Sequence, residues 1–327
     1  MIELYPWQQD TWQHILARVR QQRLPHALLL TGVAGLGKTS LAGKLAESLL
    51  CLAPDTDFHA CGRCHSCQLM LAGSHPDHLY IHAEEAGKAI KIEQIRALKE
   101  KQSLTPSIAA WKTVIIESAD AMTHSAANSL LKLLEEPPGN TILILTTDAV
   151  HYLPVTIRSR CQQMQLTAPD TQSTLQWLKQ QQIEADVAQL QKLASFTFNA
   201  PLTIANALTT GEWQHYQQVQ QDFEQLLKQS PNPVQLAAEW QQYDLIKVMH
   251  QLLFSVKSRL KHSLCEEMGR EQPQQYWQIV DCIINTIKLL SSSNNYNKTL
   301  LIEDFLVSVM HISQTDPRLS AAPAKNN

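Results

Sequence analysis

The sequence lacks a long apolar run. Hydrophobic residues make up 44% of its 327 residues, yet no apolar stretch approaches the roughly 18 residues that a membrane-spanning helix requires. The N-terminal segment includes the acids Glu3 and Asp10 and contains neither a basic region nor an apolar core, so it lacks the pattern of a secretion signal. We therefore expect a cytoplasmic protein without a membrane anchor.

The sequence also lacks an excess of charge of either sign. It contains 27 basic and 30 acidic residues, which gives a net charge of -3. A protein that coats nucleic acid by bulk electrostatics needs a basic excess, so this class is excluded, while local contacts with DNA stay open. No group of carboxylates typical of a polymerase active site is recognisable. The length of 327 residues exceeds what one hydrophobic core usually supports and predicts two or three domains.

The two halves of the chain differ in their hydrophobic pattern. Residues 1–166 alternate short apolar runs with helical patterns such as Lys38 to Leu50, which predicts a mostly parallel sheet covered by helices. The predicted strands are His26 to Thr31, His78 to His82, Thr113 to Glu117 and Thr141 to Thr147. From Asp170 onward the periodicity is helical throughout, so the second half is predicted to be all-α.

Breaker residues predict where the domains end. Residues 1–166 form the predicted α/β domain, and a segment with Pro169 leads into a small helical unit at 167–208. A larger helical bundle follows at 209–314. Residues 315–327 are rich in Ala, Pro and Asn and are predicted to be a disordered tail.

A phosphate-binding motif follows the first predicted strand. The segment GVAGLGKT matches G-x-x-x-x-G-K-[ST] completely and precedes a predicted helix. Its glycines let backbone N–H groups close around phosphate oxygens, while Lys38 is expected to reach the β- and γ-phosphates and Thr39 to ligate Mg²⁺. The candidate ATP-binding residues of this loop are Gly32, Gly35, Gly37, Lys38 and Thr39. A glycine-rich turn that is retained without a ligand is the alternative.

The acids that hydrolysis requires are incomplete. In AAA+ ATPases an acid for Mg²⁺ ends the third strand and a glutamate that orients the attacking water follows it. Here Glu117 follows Ile116 and precedes Ser118. If Glu117 is the acid for Mg²⁺, Ser118 stands at the position of the glutamate, and if Glu117 is the glutamate, Ile116 stands at the position of the acid, so one acid is missing in either case. Because losing a positioned base costs about 10²–10⁴-fold in rate, we predict negligible turnover by this chain alone. Asp120 is a weaker substitute, and Thr147, at the end of the next strand, joins Glu117 as a candidate nucleotide-binding residue.

Four of the seven cysteines lie within 17 residues and predict a metal site. They are Cys51, Cys61, Cys64 and Cys67, spaced C-x₉-C-x₂-C-x₂-C. Thiolates at this spacing suit one tetrahedral Zn²⁺, and a closed site of four thiolates is structural and not catalytic. An iron–sulfur cluster is the main competitor, but the usual C-x₃-C-P ending is absent after Cys67. His59 or His65 could replace one ligand.

Further segments carry a resemblance to a known family. They are Tyr5-Pro6-Trp7, Ala127 to Pro138 (ANSLLKLLEEPP), Thr156 to Cys161 (TIRSRC) and Asn297 to Asp304 (NKTLLIED). With the cysteine insertion, the chain resembles the bacterial clamp-loader subunits, most closely the delta prime subunits of DNA polymerase III. The resemblance implies an AAA+ P-loop domain at 1–166 with a zinc module at 51–67, a helical lid at 167–208 and a helical collar at 209–314 that joins subunits into a ring.

The family's function implies a role for one arginine. Clamp loaders open a sliding clamp and place it on primed DNA with ATP bound by the gamma or tau subunits, so the implied partners are gamma or tau, delta, the clamp and primed DNA. In this hetero-oligomer the chain resembles a stator whose Arg160 acts in trans as an arginine finger. A guanidinium fixed beside a γ-phosphate can accelerate hydrolysis by about 10³–10⁵-fold. The chain would then be a subunit of a DNA-directed DNA polymerase, a nucleotidyltransferase, without ATPase activity of its own.

Two other functions stay open. An active, gamma-like clamp-loader ATPase would need the missing acid, and it would carry a second sensor arginine that the segment Ala194 to Leu202 lacks. A zinc-bearing adaptor would use the AAA+ scaffold only for interaction and would leave the phosphate loop idle.

Overall fold

The structure, a computed structural model, describes residues 2–85, 88–102, 106–183, 186–229, 231–265, 273–290 and 296–314. The predicted tail at 315–327 lies outside these ranges. The described residues form two compact units. The first holds the chain up to Gln182 together with Phe198–Ile204, and the second holds Ile183–Thr197 and the described residues from Ala205 onward.

Five parallel strands form the sheet of the first unit. They are β1 Ala27–Thr31, β2 His78–Ile81, β3 Lys112–Ile116, β4 Thr141–Thr147 and β5 Gln162–Gln165. Their order across the sheet is β2-β3-β4-β1-β5, and every neighbouring pair is parallel. β1, β3 and β4 are buried along their whole length, as expected of parallel strands that are covered on both faces.

Helices surround this sheet. They are α1 Gln9–Arg20, α2 Lys38–Leu50, α3 His65–Leu71, α4 Ile92–Gln102, α5 His124–Glu135, α6 Val155–Arg158 and α7 Thr171–Gln180. Short 3-10 turns lie at Pro6–Gln8, Ala119–Ala121 and Val150–Tyr152. Side chains cap three of these helices: Cys64 accepts the Cys67 N–H at the start of α3, Thr123 accepts the Ala126 N–H at the start of α5, and Asp170 accepts the Ser173 N–H at the start of α7.

The core of the first unit has two layers because side chains alternate along each strand. Leu29, Val114 and Leu143 pack in one cluster, while their neighbours Leu28 and Ile115 pack in the other. The predicted α/β domain with a parallel sheet is confirmed. The four predicted strands agree with the structure to within one residue at each end, and α2 spans Lys38–Leu50 as predicted. β5 is an additional strand that the apolar pattern did not predict.

The second unit is helical in every segment that the structure describes. Its helices are α8 Val187–Phe196, the later residues of α9 Pro201–Thr209, α10 Glu212–Lys228, α11 Pro233–Trp240, α12 Leu245–Cys265, α13 Pro273–Leu290 and α14 Lys298–Gln314. The core holds Phe223, Trp240 and Phe305, and the Trp240 indole donates to Asp222 at 2.9 Å. No described helix is long and apolar enough to cross a membrane. The division into lid and collar stays a prediction.

Candidate functional site

The phosphate loop joins the end of β1 to the start of α2, and its shape requires glycine. Gly35 and Gly37 have φ angles of +83° and +72°, and Gly37 directly precedes α2. A Cβ atom on Gly35 would lie 2.1 Å from the Thr203 hydroxyl oxygen. Conformation and space therefore both exclude a larger residue at this position.

The N-terminal segment braces this loop from one side. The Gln8 side chain is fully buried and donates to the carbonyls of Leu36 at 2.9 Å and Gly37 at 2.8 Å. The Trp7 indole donates to the same Leu36 carbonyl at 3.0 Å. Trp7 belongs to the Tyr5-Pro6-Trp7 segment of the family resemblance, whereas Gln8 was not predicted, because a lone glutamine carries no sequence signal for such a contact.

The start of α9 braces the loop from a second side. The Leu202 N–H donates to the Gly35 carbonyl at 3.2 Å, and the Thr203 hydroxyl donates to the Ala34 carbonyl at 3.2 Å. Both contacts use loop carbonyls as acceptors.

Lys38 makes contacts that the motif alone does not predict. Its side chain is only 6% exposed, and its ammonium donates to the carbonyls of Gly32 at 2.9 Å and Val33 at 2.8 Å. The same ammonium forms an ion pair with Asp148, the residue that follows β4. Asp148 was not among the predicted site residues, because only the fold brings the end of β4 beside the phosphate loop.

Glu117 and Thr39, two of the predicted nucleotide-site residues, contact each other directly. The Thr39 hydroxyl donates to one Glu117 carboxylate oxygen at 2.9 Å, and the Tyr80 hydroxyl donates to the other. Burial and the neighbouring carboxylate raise the pKa of Tyr80 well above its usual value, so the phenol remains a donor. Hydroxyl and carboxylate oxygens are suitable ligands for Mg²⁺. This pairing favours a role of Glu117 in holding Mg²⁺ over a role as the water-orienting base.

Ser118 directly follows Glu117, where the sequence predicts the water-orienting base if Glu117 holds Mg²⁺. It adopts a left-handed conformation with φ +50°, and its N–H donates to the Thr146 hydroxyl at 3.2 Å. A serine hydroxyl is too weak a base for the role. The nearby Asp120 carboxylate accepts a hydrogen bond of 2.6 Å from the hydroxyl of Thr147, the predicted site residue on β4.

The four predicted metal ligands converge on one point. The sulfur atoms of Cys51, Cys61, Cys64 and Cys67 all lie within 4.8 Å of one another. The pairs Cys51–Cys64 and Cys61–Cys67 are each 4.0 Å apart, close to the sulfur separation of about 3.8 Å that four Zn–S bonds of about 2.3 Å give in a tetrahedron. The donors therefore fit a single zinc ion better than an iron–sulfur cluster, which would hold the sulfurs further apart.

Backbone donors and buried side chains support this cysteine site. The N–H groups of Arg63 and Cys64 lower the pKa of the Cys61 thiol to about 6, which favours the thiolate that a metal binds, whereas burial raises the pKa of the Cys67 thiol to about 12. The His59 ring stacks on Trp12, with ring centroids 5.9 Å apart, and does not join the sulfur cluster. The site can therefore cross-link the segment after α2 to the start of α3.

A buried chain of hydrogen bonds also anchors α3. The Ser66 hydroxyl donates to the Leu50 carbonyl at 2.6 Å and lies 2.8 Å from the His75 Nε2. The His75 Nδ1 accepts the Asp77 N–H, so Nε2 carries the proton and donates to Ser66. Although Ser66, His75 and Asp77 are the residue types of a catalytic triad, this serine is fully buried and its role is structural.

Arg160 lies beyond the end of α6, and a carboxylate holds its guanidinium. Its Nε and Nη2 atoms contact the same Glu135 oxygen at 2.9 Å and 2.6 Å, and Nη1 donates to the Thr156 carbonyl at 3.1 Å. The Arg160 side chain as a whole is 36% exposed. The neighbouring Cys161 is buried, which raises the pKa of its thiol to about 12 and keeps it unreactive.

Comparisons with known proteins agree on one family. A family model described as DNA polymerase III, delta subunit, matches residues 7–170. A DNA polymerase III subunit delta' from Pseudomonas aeruginosa is 38% identical over 75% of this chain and 74% of the relative. The subunit of the same name from Haemophilus influenzae is 31% identical over 81% of this chain and 79% of the relative.

A solved structure has a related fold. A DNA polymerase III gamma subunit-related protein from Thermotoga maritima superposes with a TM-score of 0.50 at 20% identity, covering 93% of this chain and all of that chain. At this identity the likeness concerns the fold alone, and it agrees with the parallel sheet and helical remainder described above.

Proposed function

This chain belongs to the family of DNA polymerase III delta prime subunits, and from that premise we propose that it works as a clamp-loader subunit that does not hydrolyse ATP itself. Its partners would be the gamma or tau and delta subunits, a sliding clamp and primed DNA. A role in chromosome replication would be carried out in the cytoplasm.

The pairing around Glu117 carries the proposal that the chain is not a motor. Glu117 accepts hydrogen bonds from Thr39 and Tyr80, which suits the Mg²⁺ role, and Ser118 then stands where the base is needed. Asp120 is engaged by Thr147. A nucleotide could be held by the intact loop, with Lys38 and Thr39 at its phosphates and Mg²⁺ near Glu117, yet no described carboxylate at this position is suited to orient the attacking water.

The partial exposure of the Arg160 side chain supports the proposal of catalysis in trans. Glu135 and the Thr156 carbonyl fix the orientation of the guanidinium, and the side chain as a whole is 36% exposed. A guanidinium that is already oriented loses less conformational entropy when it binds a neighbour's phosphate. We propose that Arg160 reaches the γ-phosphate of an ATP bound by an adjacent subunit and stabilises the charge that develops there.

The cysteine site has a structural part in this proposal. When bound, a zinc ion would supply a rigid cross-link without an open coordination position. Cys51, Cys61, Cys64 and Cys67 would hold it and keep the inserted segment folded at the end of α2.

The proposal is tested first on the purified chain. We would measure steady-state ATP hydrolysis with Mg²⁺ and primed DNA, beside a Lys38→Ala variant. We expect both proteins to hydrolyse ATP at the background rate, because a positioned base is absent. Turnover that Lys38→Ala abolishes would contradict the proposal and favour an active clamp-loader ATPase.

A further inference from the structure

The ammonium of Lys38 has no hydrogen-bond donor left for a phosphate. A lysine carries three N–H donors, and here they face the Gly32 carbonyl, the Val33 carbonyl and the Asp148 carboxylate. Two of these acceptors belong to the loop itself. The third acceptor comes from outside the loop and carries a negative charge.

Asp148 therefore occupies the position that a phosphate oxygen would take. Lysine at this point of the motif acts by reaching the β- and γ-phosphates. A carboxylate oxygen and a phosphate oxygen are both anionic acceptors, and one N–H donor cannot serve both at full strength. A nucleoside triphosphate that binds to the loop must therefore displace Asp148 from the Lys38 ammonium or share one N–H donor of Lys38 with it.

We propose that Asp148 sets the nucleotide affinity of the phosphate loop by competing with the terminal phosphates for Lys38. This inference rests on the proposed ability of the loop to bind nucleotide, and it adds the residue that limits this binding. The competition explains how a loop with a complete motif can belong to a subunit that does not depend on ATP turnover.

Asp148 can leave Lys38 without disturbing the fold. It lies in the connection after β4, and its side chain is 49% exposed, so water can solvate the released carboxylate. An internal competitor that occupies the site nine tenths of the time lowers the apparent affinity about tenfold. We accordingly expect a measurable gain in affinity when the carboxylate is removed.

The other carboxylates of the site are engaged elsewhere. Glu117 accepts hydrogen bonds from Thr39 and Tyr80, and Asp120 accepts one from Thr147. Asp148 is the carboxylate that contacts Lys38 among the described residues. Its substitution therefore removes the competitor while leaving the proposed magnesium position unchanged.

The experiment measures binding and not turnover. Affinity for a fluorescent ATP analogue with Mg²⁺ is titrated for the wild-type chain, Asp148→Asn, Asp148→Ala, Lys38→Ala and the double variant Lys38→Ala with Asp148→Asn. Asp10→Asn serves as the matched control, since it removes an equal charge from an exposed position in α1. Thermal unfolding of each variant checks that the fold is retained, and the isosteric Asn variant remains informative if the Ala variant is unstable.

We expect both Asp148 variants to bind about tenfold more tightly than wild type and Asp10→Asn to bind within twofold of it. In the Lys38→Ala background the gain should disappear, because the two residues act through one contact. Wild-type binding with no gain in the Asp148 variants would overturn this inference and leave nucleotide binding intact. A failure of the wild type and both Asp148 variants to bind would overturn nucleotide binding as well.

Discussion

At the scale of single residues, glycines determine the shape of the phosphate loop. Gly35 adopts φ +83° against the Thr203 hydroxyl, whereas Gly139, between α5 and β4, adopts φ +53° with nothing within 4 Å of an added Cβ. The two positions share the conformational requirement and differ in the space available. They therefore allow the effect of backbone conformation to be separated from the effect of packing.

Replacing Gly35 should cost more stability than replacing Gly139. We expect Gly139→Ala to lower the free energy of unfolding by about 1–2 kcal/mol, the cost of a side chain in the left-handed region. Gly35→Ala should lower it by a further ~1–3 kcal/mol, because the added methyl overlaps Thr203. Denaturant unfolding of the two variants checks this, and equal losses would mean that α9 does not pack on the loop in solution.

The residues of the site differ in how far the sequence could predict them. Lys38 and Thr39 belong to a contiguous motif, and the four cysteines have diagnostic spacing, so local sequence was sufficient. Glu135 was visible only as part of a family motif, and Asp148 had no signal at all. Both act through ion pairs with residues distant in the chain, and such contacts depend on the order of strands in the sheet.

At the scale of elements, we expect the folding of the cysteine module, residues 51–67, to depend on a bound metal. A site that needs four thiolates should lose most of its zinc when one ligand is removed. We expect about one zinc per chain in the wild type and little in Cys64→Ser after dialysis against a chelator. Elemental analysis checks this, with Cys282→Ser in α13 as the control. Iron with sulfide in the wild type, or zinc retained by Cys64→Ser, would contradict the assignment.

The β2–β3 pair contains a histidine that should make stability depend on pH. Burial lowers the pKa of His78 to about 4, and its Nδ1 lies 2.8 Å from the Thr113 hydroxyl in the paired register. An unfolded histidine titrates near 6.5. The folded state therefore excludes the proton, and the stabilisation is present above pH ~6.5 and is lost as the pH falls towards 4.

We expect the free energy of unfolding to fall by about 1–2 kcal/mol between pH 6.5 and 5 through this residue. His78→Asn keeps a hydrogen-bonding group near Thr113 without a titrating ring and should flatten the dependence. His14→Asn, at an exposed position of α1, should leave it unchanged. Urea titrations across this range provide the measurement, and identical slopes for wild type and His78→Asn would refute the account.

The strands also show where apolar patterns stop being informative. β1, β3 and β4 each contain an apolar run and are buried along their whole length, and the sequence predicted each of them to within one residue. β5 reads Gln-Gln-Met-Gln, and only Met164 is buried. A short edge strand exposes most of its side chains, so it exists through its pairing with β1 and not through its own hydrophobicity.

At the scale of the whole molecule, the chain contains two compact units that differ in secondary structure. The first unit carries the phosphate loop, the cysteine module and Arg160, and the second is a helical unit built around Phe223, Trp240 and Phe305. The sequence predicted an α/β unit followed by helices because the hydrophobic period changes near residue 170. The sequence pattern could not predict that residues 198–204 belong to the first unit. Their place there depends on contacts between the start of α9 and the phosphate loop.

The most direct test of the account is ATP hydrolysis by a reconstituted clamp loader that contains this chain. Arg160→Ala should reduce DNA- and clamp-stimulated turnover at least tenfold, whereas Arg20→Ala, which removes another arginine paired with an acid, should leave it unchanged. Arg160→Lys should restore little, because an ammonium lacks the planar fork. Full turnover in the assembled Arg160→Ala loader would contradict catalysis in trans and leave this chain a scaffold.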